Sequence, residues 1–160
     1  MPKVRPRLPR WLLPLAAALL LSVSPALAQS DEASARSIRT ALEGWVTAFN
    51  TGNVDAVCDL FARDLVSNYQ GQPERGYQAI CDLLSKSLKD TSRAYRYSLD
   101  LKEILVSGDL AAVRLVWTLE IDPKNGAPKL INVEPGLDIF RRQVDGKWRI
   151  ARFLSYSTTP

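Results

Sequence analysis

Residues 95–102 read Tyr95-Arg96-Tyr97-Ser98-Leu99-Asp100-Leu101-Lys102, a strict alternation of apolar and polar side chains. Successive strand residues point to opposite faces, so this period of two predicts a strand with one buried face. The pattern continues downstream. In residues 110–121, Ala111, Val113, Leu115, Trp117, Leu119 and Ile121 share one face and Arg114, Thr118 and Glu120 the other, after a Ser107-Gly108-Asp109 turn. Asn125-Gly126 is a strong hairpin signal. A third strand is expected over 129–143, and Asp145-Gly146 turns it into a fourth over 147–156. Pro135 cannot donate to a ladder, so Pro135-Gly136 predicts a bulge or bend in the third strand.

Before Thr91 the apolar period is 3.6. Ile38, Leu42, Trp45, Val46 and Phe49 form one stripe of a helix over 31–50, which Thr51-Gly52 ends. Asn53 is a good N-cap for a second helix over 53–63, with Val54, Val57, Cys58 and Phe61 on its stripe and Asp55 in its first turn. Residues 65–69 read as a short strand and 70–74, with Gly71 and Pro73, as a loop. Tyr77, Ile80, Cys81, Leu84 and Leu88 make a third helical stripe over 75–89. Helices first and a meander afterwards predict an α+β fold with the helices over one face of an antiparallel sheet.

At the amino terminus, Lys3, Arg5, Arg7 and Arg10 precede an uncharged apolar run over 11–23, then Ser24-Pro25 and Ala26-Leu27-Ala28. The run is short for a bilayer span, and the small-x-small ending suits signal peptidase. Residues 1–28 therefore read as a signal peptide and 29–160 as one periplasmic or secreted domain, with no membrane attachment after cleavage. The leader takes four of the 21 Lys and Arg residues and none of the 17 Asp and Glu, leaving 17 against 17. A neutral domain gives no motive for a nucleic-acid partner, which requires surplus positive charge.

The chain has no His and two Cys. Imidazole-dependent catalysis and the usual catalytic zinc sites are excluded, and two thiols cannot fill a structural zinc site. No metal or cofactor is expected. Export favours a bridge between Cys58 and Cys81, closing a loop of about 22 residues, over two buried free thiols.

Trp45 and Ala48 in a long first helix, Gly52-Asn53-Val54-Asp55-Ala56, Leu60-Phe61-Ala62-Arg63-Asp64, Gly76 followed by Ala79-Ile80, and Asp145-Gly146-Lys147-Trp148-Arg149-Ile150 together resemble the nuclear transport factor 2-like superfamily. Within it the chain is most similar to SnoaL-like and ketosteroid-isomerase-like proteins, over residues 36–157. The resemblance implies a cone-shaped barrel: a strongly curved antiparallel sheet around an apolar cavity, covered by three N-terminal helices. Such a cavity would take a small apolar molecule, and members commonly form homodimers.

Carried over residue by residue, the isomerase pattern is incomplete. Its tyrosine falls at Trp45 and its carboxylate base at Tyr69 or Asn68, and neither an indole N–H nor a phenol is a ready base near neutral pH. Its protonated aspartate falls at Asp138. Epoxide-hydrolase relatives combine an arginine with two carboxylates, but Val116 stands two residues after Arg114 where a carboxylate is needed.

Asp138 and Tyr69 are the catalytic candidates. Asp138 lies between apolar residues, in phase with Phe140. It is either a carboxyl whose pKa rises in an apolar cavity or the partner of Arg114 or Arg142 in an ion pair. Asp64 reads more as a capping or pairing group than as a base. The expected pocket lining is Trp45, Phe49, Tyr69, Tyr77, Trp117, Asp138, Phe140 and Phe153, an aromatic wall with polar handles. Three functions remain open at this point. One is an exported binding or accessory protein, and another is an isomerase, cyclase or dehydratase using Asp138 as acid. The third is a structural dimer joined through an open sheet face bearing Leu115, Trp117 and Leu119.

Overall fold

The computed structural model describes residues 25–159. The expected leader lies outside the described residues except for 25–28, which begin the first helix. The elements are α1 (Pro25–Asn50), α2 (Val54–Val57), β1 (Phe61–Tyr69), β2 (Arg75–Gly76), α3 (Tyr77–Lys89), β3 (Arg93–Ser107), β4 (Leu110–Pro123), β5 (Leu130–Arg142) and β6 (Trp148–Ser155). No helix among the described residues is long and apolar enough to cross a membrane.

The α+β arrangement holds, with helices over one face of a six-stranded sheet in the order β2-β1-β6-β5-β4-β3. The closed, strongly curved antiparallel cone does not. The sheet is open, with β2 and β3 as edges, and β1 runs parallel to β6. The meander from β3 to β6 is antiparallel because hairpins join its strands. β1 reaches β6 by no hairpin, and its approach from α2 leaves it free to pair in the other sense.

The second helix is one turn instead of the expected 53–63. Asn53 caps it, its Oδ1 accepting from the Ala56 N–H at 3.1 Å. The chain then extends, because Phe61 pairs with Ile150 and the Leu60 carbonyl accepts from the Ile150 N–H at 2.8 Å. A register irregularity between Phe61 and Val66 hides the period of two, which is why this stretch imitates a helical stripe.

Pro135 also departs from expectation. β5 passes through it in unbroken register with β4, Pro135 lying opposite Val116. Its carbonyl accepts from the Tyr156 N–H, just past the end of β6. The missing proline N–H therefore faces the side where β6 has run out, and no β4 bond is lost. The irregularity in β5 falls instead between Ile139 and Phe140, against β6.

Ile38, Leu42, Trp45 and Phe49 of α1 are all buried, as the stripe requires, and pack with Val57, Leu60, Phe61, Ile80, Leu84, Val113, Phe140 and Ile150. Full burial of such side chains contributes about 1.5–3 kcal/mol each. Cys58 and Cys81 form a disulfide, with Cα atoms 5.6 Å apart, tying the end of α2 to α3. Leu115 is buried and shares its face with Trp117 and Leu119, toward the helices, not the open side. The open face carries Val116, Pro135, Leu137 and Leu154, with Leu137 and Leu154 cross-strand partners.

Candidate functional site

Between α1, α3 and the sheet lies a cavity of about 360 Å³, within the range of small-molecule sites. Of the expected residues, Trp45, Phe49, Tyr69 and Phe153 line it. Tyr77, Trp117, Asp138 and Phe140 do not. Tyr77 turns to the Arg63 guanidinium, 4.3 Å from its ring centroid. Phe140 is core, and Trp117 stands behind Trp45, edge-on at 5.0 Å between ring centroids.

The wall is a self-packed aromatic cluster. Trp45 stacks on Phe49 at 5.4 Å, and the Tyr97 ring meets Phe49 at 4.9 Å and Trp45 at 5.2 Å. The Trp45 indole donates to the Val57 carbonyl at 2.9 Å, so its N–H is spent on the fold. Asn50 fixes Tyr97 from the other side through two bonds to its backbone. Such rings supply rigid apolar surface at small entropic cost.

The polar end of the cavity comes from β1 and β5. Tyr69 Oη donates to Glu134 Oε1 at 3.4 Å, and Asn132 Nδ2 donates to Tyr69 Oη at 3.1 Å and also to Glu134 Oε1. Ser157 Oγ donates to Asn132 Oδ1, which orients the amide so that its NH₂ faces the tyrosine and the carboxylate. Burial raises the pKa of Glu134, and the bonds from Tyr69 and Asn132 oppose that rise. The Tyr97 hydroxyl is pushed well above the ordinary phenol value, first by burial and then by the charge of Glu134 and by Tyr69.

Asp138 sits elsewhere. It is 3% exposed, between its cross-strand partners Val113 and Phe153, and burial alone pushes its pKa up to about 8. The alternative ion pairs are not formed: Arg114 Nε holds Glu103 at 2.9 Å and Arg142 Nε holds Asp109 at 3.3 Å. Phe153, which does line the cavity, is the residue through which Asp138 adjoins it. Asp64 pairs with Arg141 at 2.6 Å, which holds its carboxyl below the usual range. Among the described residues no three metal-ligating side chains gather.

Residues 42–151 match the SnoaL-like domain model. The chain belongs to the SnoaL-like family. A search of curated proteins finds no match. Solved structures share the fold. A ketosteroid isomerase-like protein from Erwinia carotovora atroseptica is 22% identical with a TM-score of 0.64, covering 78% of this chain and 96% of that one. A nuclear transport factor 2-like protein with a cystatin-like fold from Novosphingobium aromaticivorans is 19% identical with a TM-score of 0.64, covering 84% and 86%. A protein from Catenulispora acidiphila in complex with S-DNPA is 16% identical with a TM-score of 0.64, covering 79% and 94%.

In this SnoaL-like domain, Glu134, Asn132 and Tyr97 stand outside the residues expected from the sequence. The signal for the first two is in β5 itself. Ile131, Val133, Pro135, Leu137 and Ile139 occupy one phase, and Asn132, Glu134 and Asp138 share the other with Phe140. In most strands the apolar phase faces the core; here the phase with three polar side chains does, because part of it borders a cavity. An apolar-walled space with a protonatable carboxyl, a phenol and an amide at one end can bind a molecule by its apolar body. It can also exchange a proton with its polar group.

Proposed function

We propose that the cavity binds a small, largely apolar molecule and holds a polar group of it against Glu134, Tyr69 and Asn132. The observation that carries this reading is the enclosure of a single carboxyl, held by Tyr69 and Asn132, in a cavity otherwise walled mainly by aromatic and aliphatic side chains. That a protein of the same fold is found in complex with S-DNPA supports it. The test is thermal stabilisation by 2-naphthol, a flat molecule with one hydroxyl, compared with naphthalene. Binding raises the melting temperature by mass action. Glu134→Leu is expected to abolish the advantage of 2-naphthol over naphthalene. No stabilisation by either molecule near its solubility limit would remove the reading.

A second reading is proton-transfer catalysis, as in an isomerase, cyclase or dehydratase. The raised pKa of Glu134 beside the Tyr69 hydroxyl favours it, since a carboxyl that keeps its proton nearer neutral pH can act as acid and then as base. In this reading Glu134 takes the role that the sequence offers to Asp138, because Glu134 borders the cavity.

Two further parts of the proposal concern the molecule as a whole. The disulfide supports a periplasmic or secreted location, where such bonds persist. The apolar outer face of β5 and β6 supports a homodimer packed sheet to sheet, with Leu137 and Leu154 at its centre, 42% and 60% exposed in the single chain.

A further inference from the structure

The charged residues lining the cavity are Glu134 and Arg75. They have opposite sign, yet no ion pair joins them. Glu134 lies on β5 and Arg75 on the edge strand β2, with β1 and β6 between. Three strand spacings, roughly 14 Å across the sheet, lie between them, and the register sets Arg75 level with Asp138, four residues along β5 from Glu134.

Arg75 differs from the arginines whose charge is already paired elsewhere in the fold. Arg114, Arg141, Arg142 and Arg149 each reach a carboxylate. Among the described residues Arg75 reaches none. Its Nη2 donates to the neutral Gln72 Oε1 at 3.1 Å, and Glu74, its neighbour in sequence, accepts from Asn68 instead. Arg75 is half-buried and lines the cavity, with no carboxylate beside its guanidinium among the described residues. A guanidinium presents a planar fork that matches a carboxylate, and the bond is strengthened where water is partly excluded. Its backbone is fixed independently, since the Arg75 carbonyl accepts from the buried Ser67 hydroxyl at 2.8 Å.

We infer that the ligand of this cavity is an amphipathic organic acid: a flat apolar body with a carboxylate that pairs with Arg75 at one end and a hydroxyl that meets Glu134 at the other. The inference rests on the small-molecule reading above and narrows it. Glu134 sets the orientation as well, because it repels the carboxylate and accepts from the hydroxyl.

The experiment compares 6-hydroxy-2-naphthoate with its methyl ester by calorimetric titration of the purified protein at neutral pH. The acid is expected to bind at least about tenfold more tightly than the ester, the size of one charge-assisted hydrogen bond. Arg75→Gln is expected to bring that ratio to about one, and Arg75→Lys to leave it between the two. Arg63→Gln removes a cation of β1 that faces Tyr77 and not the cavity, and leaves the ratio unchanged. Equal binding of acid and ester to the unaltered protein overturns the acid inference while the small-molecule reading stands. Persistence of the preference in Arg75→Gln overturns the assignment to Arg75. Failure of the acid, the ester and 2-naphthol to bind overturns both.

Discussion

Asn50 gives both ends of its amide to the backbone of Tyr97: Nδ2 donates to the carbonyl at 2.8 Å and Oδ1 accepts the N–H at 2.9 Å. β3 is an edge strand, so Asn50 stands where a neighbouring strand would be and pins the end of α1 to the residue whose ring closes the cavity. Asn50→Leu is expected to lower the unfolding free energy by about 2 kcal/mol, because two partly buried backbone groups lose their partner. Urea denaturation measures it, and a change within about 0.5 kcal/mol, typical of an ordinary surface site, would mean that the amide only decorates the strand.

Asp138 makes stability depend on pH. Its carboxyl titrates at an ordinary 3.8 in the unfolded chain and at about 8 in the fold, where burial disfavours the charge. Between those values the native state holds a proton that the unfolded state releases. Its favourable contribution is therefore complete below the unfolded value and is lost as pH rises toward 8. Glu134 acts in the same direction, and the carboxylates held low by Lys or Arg partners, such as Asp59 and Asp64, titrate below this window. The protein should be more stable at pH 5 than at pH 8, and Asp138→Asn should reduce that difference. Equal slopes in variant and parent, from unfolding curves at both pH values, would place the titration elsewhere.

The Cys58–Cys81 bridge joins the end of α2 to the buried face of α3, across 23 positions in sequence. In the chain-entropy model a loop of this length is worth about 3 kcal/mol. The double variant Cys58→Ala, Cys81→Ala should lose stability by about that amount and respond no further to dithiothreitol. If dithiothreitol leaves the unaltered protein's melting temperature unmoved, the bridge contributes nothing.

Much of the architecture was legible because two periods do not resemble each other. The stripe Ile38, Leu42, Trp45, Phe49 reads only as a helix, and the alternation over 95–102 only as a strand. Phe61 imitates a helical position because a register irregularity erases the alternation locally. The openness of the sheet and the parallel pairing of β1 with β6 were not legible at all, since pairing between distant segments leaves no local periodicity. In the site, Trp45, Phe49, Tyr69 and Phe153 were found as aromatic residues on core-facing phases. Glu134 carries no mark of its own, because a lone carboxylate beside Pro135 reads equally well as a solvent-facing residue at a bend. Asp138 stands out by its phase with Phe140, but phase says which face a residue takes, not whether that face is cavity or core at that level.

The outer row of β5 carries the remaining expectation. Ile131, Val133, Pro135, Leu137 and Ile139 all lie on the side away from the helices, where Ile131 and Leu137 are exposed and the other three half-buried. A strand with its polar phase inward and its apolar phase outward suits both parts of the proposal, a ligand within and a second copy of the chain without. Leu154 of β6 and Tyr156 just past its end extend the patch, and Lys102 and Arg114 border it. A two-fold axis through Leu137 and Leu154 would place each patch against its own copy, which requires only self-complementarity. Leu137→Glu is therefore expected to convert a dimer to a monomer in sedimentation equilibrium. The cavity should be retained, because Leu137 and Asp138 point to opposite faces of the sheet. A monomer at all concentrations in the unaltered protein would instead leave this row to a different partner.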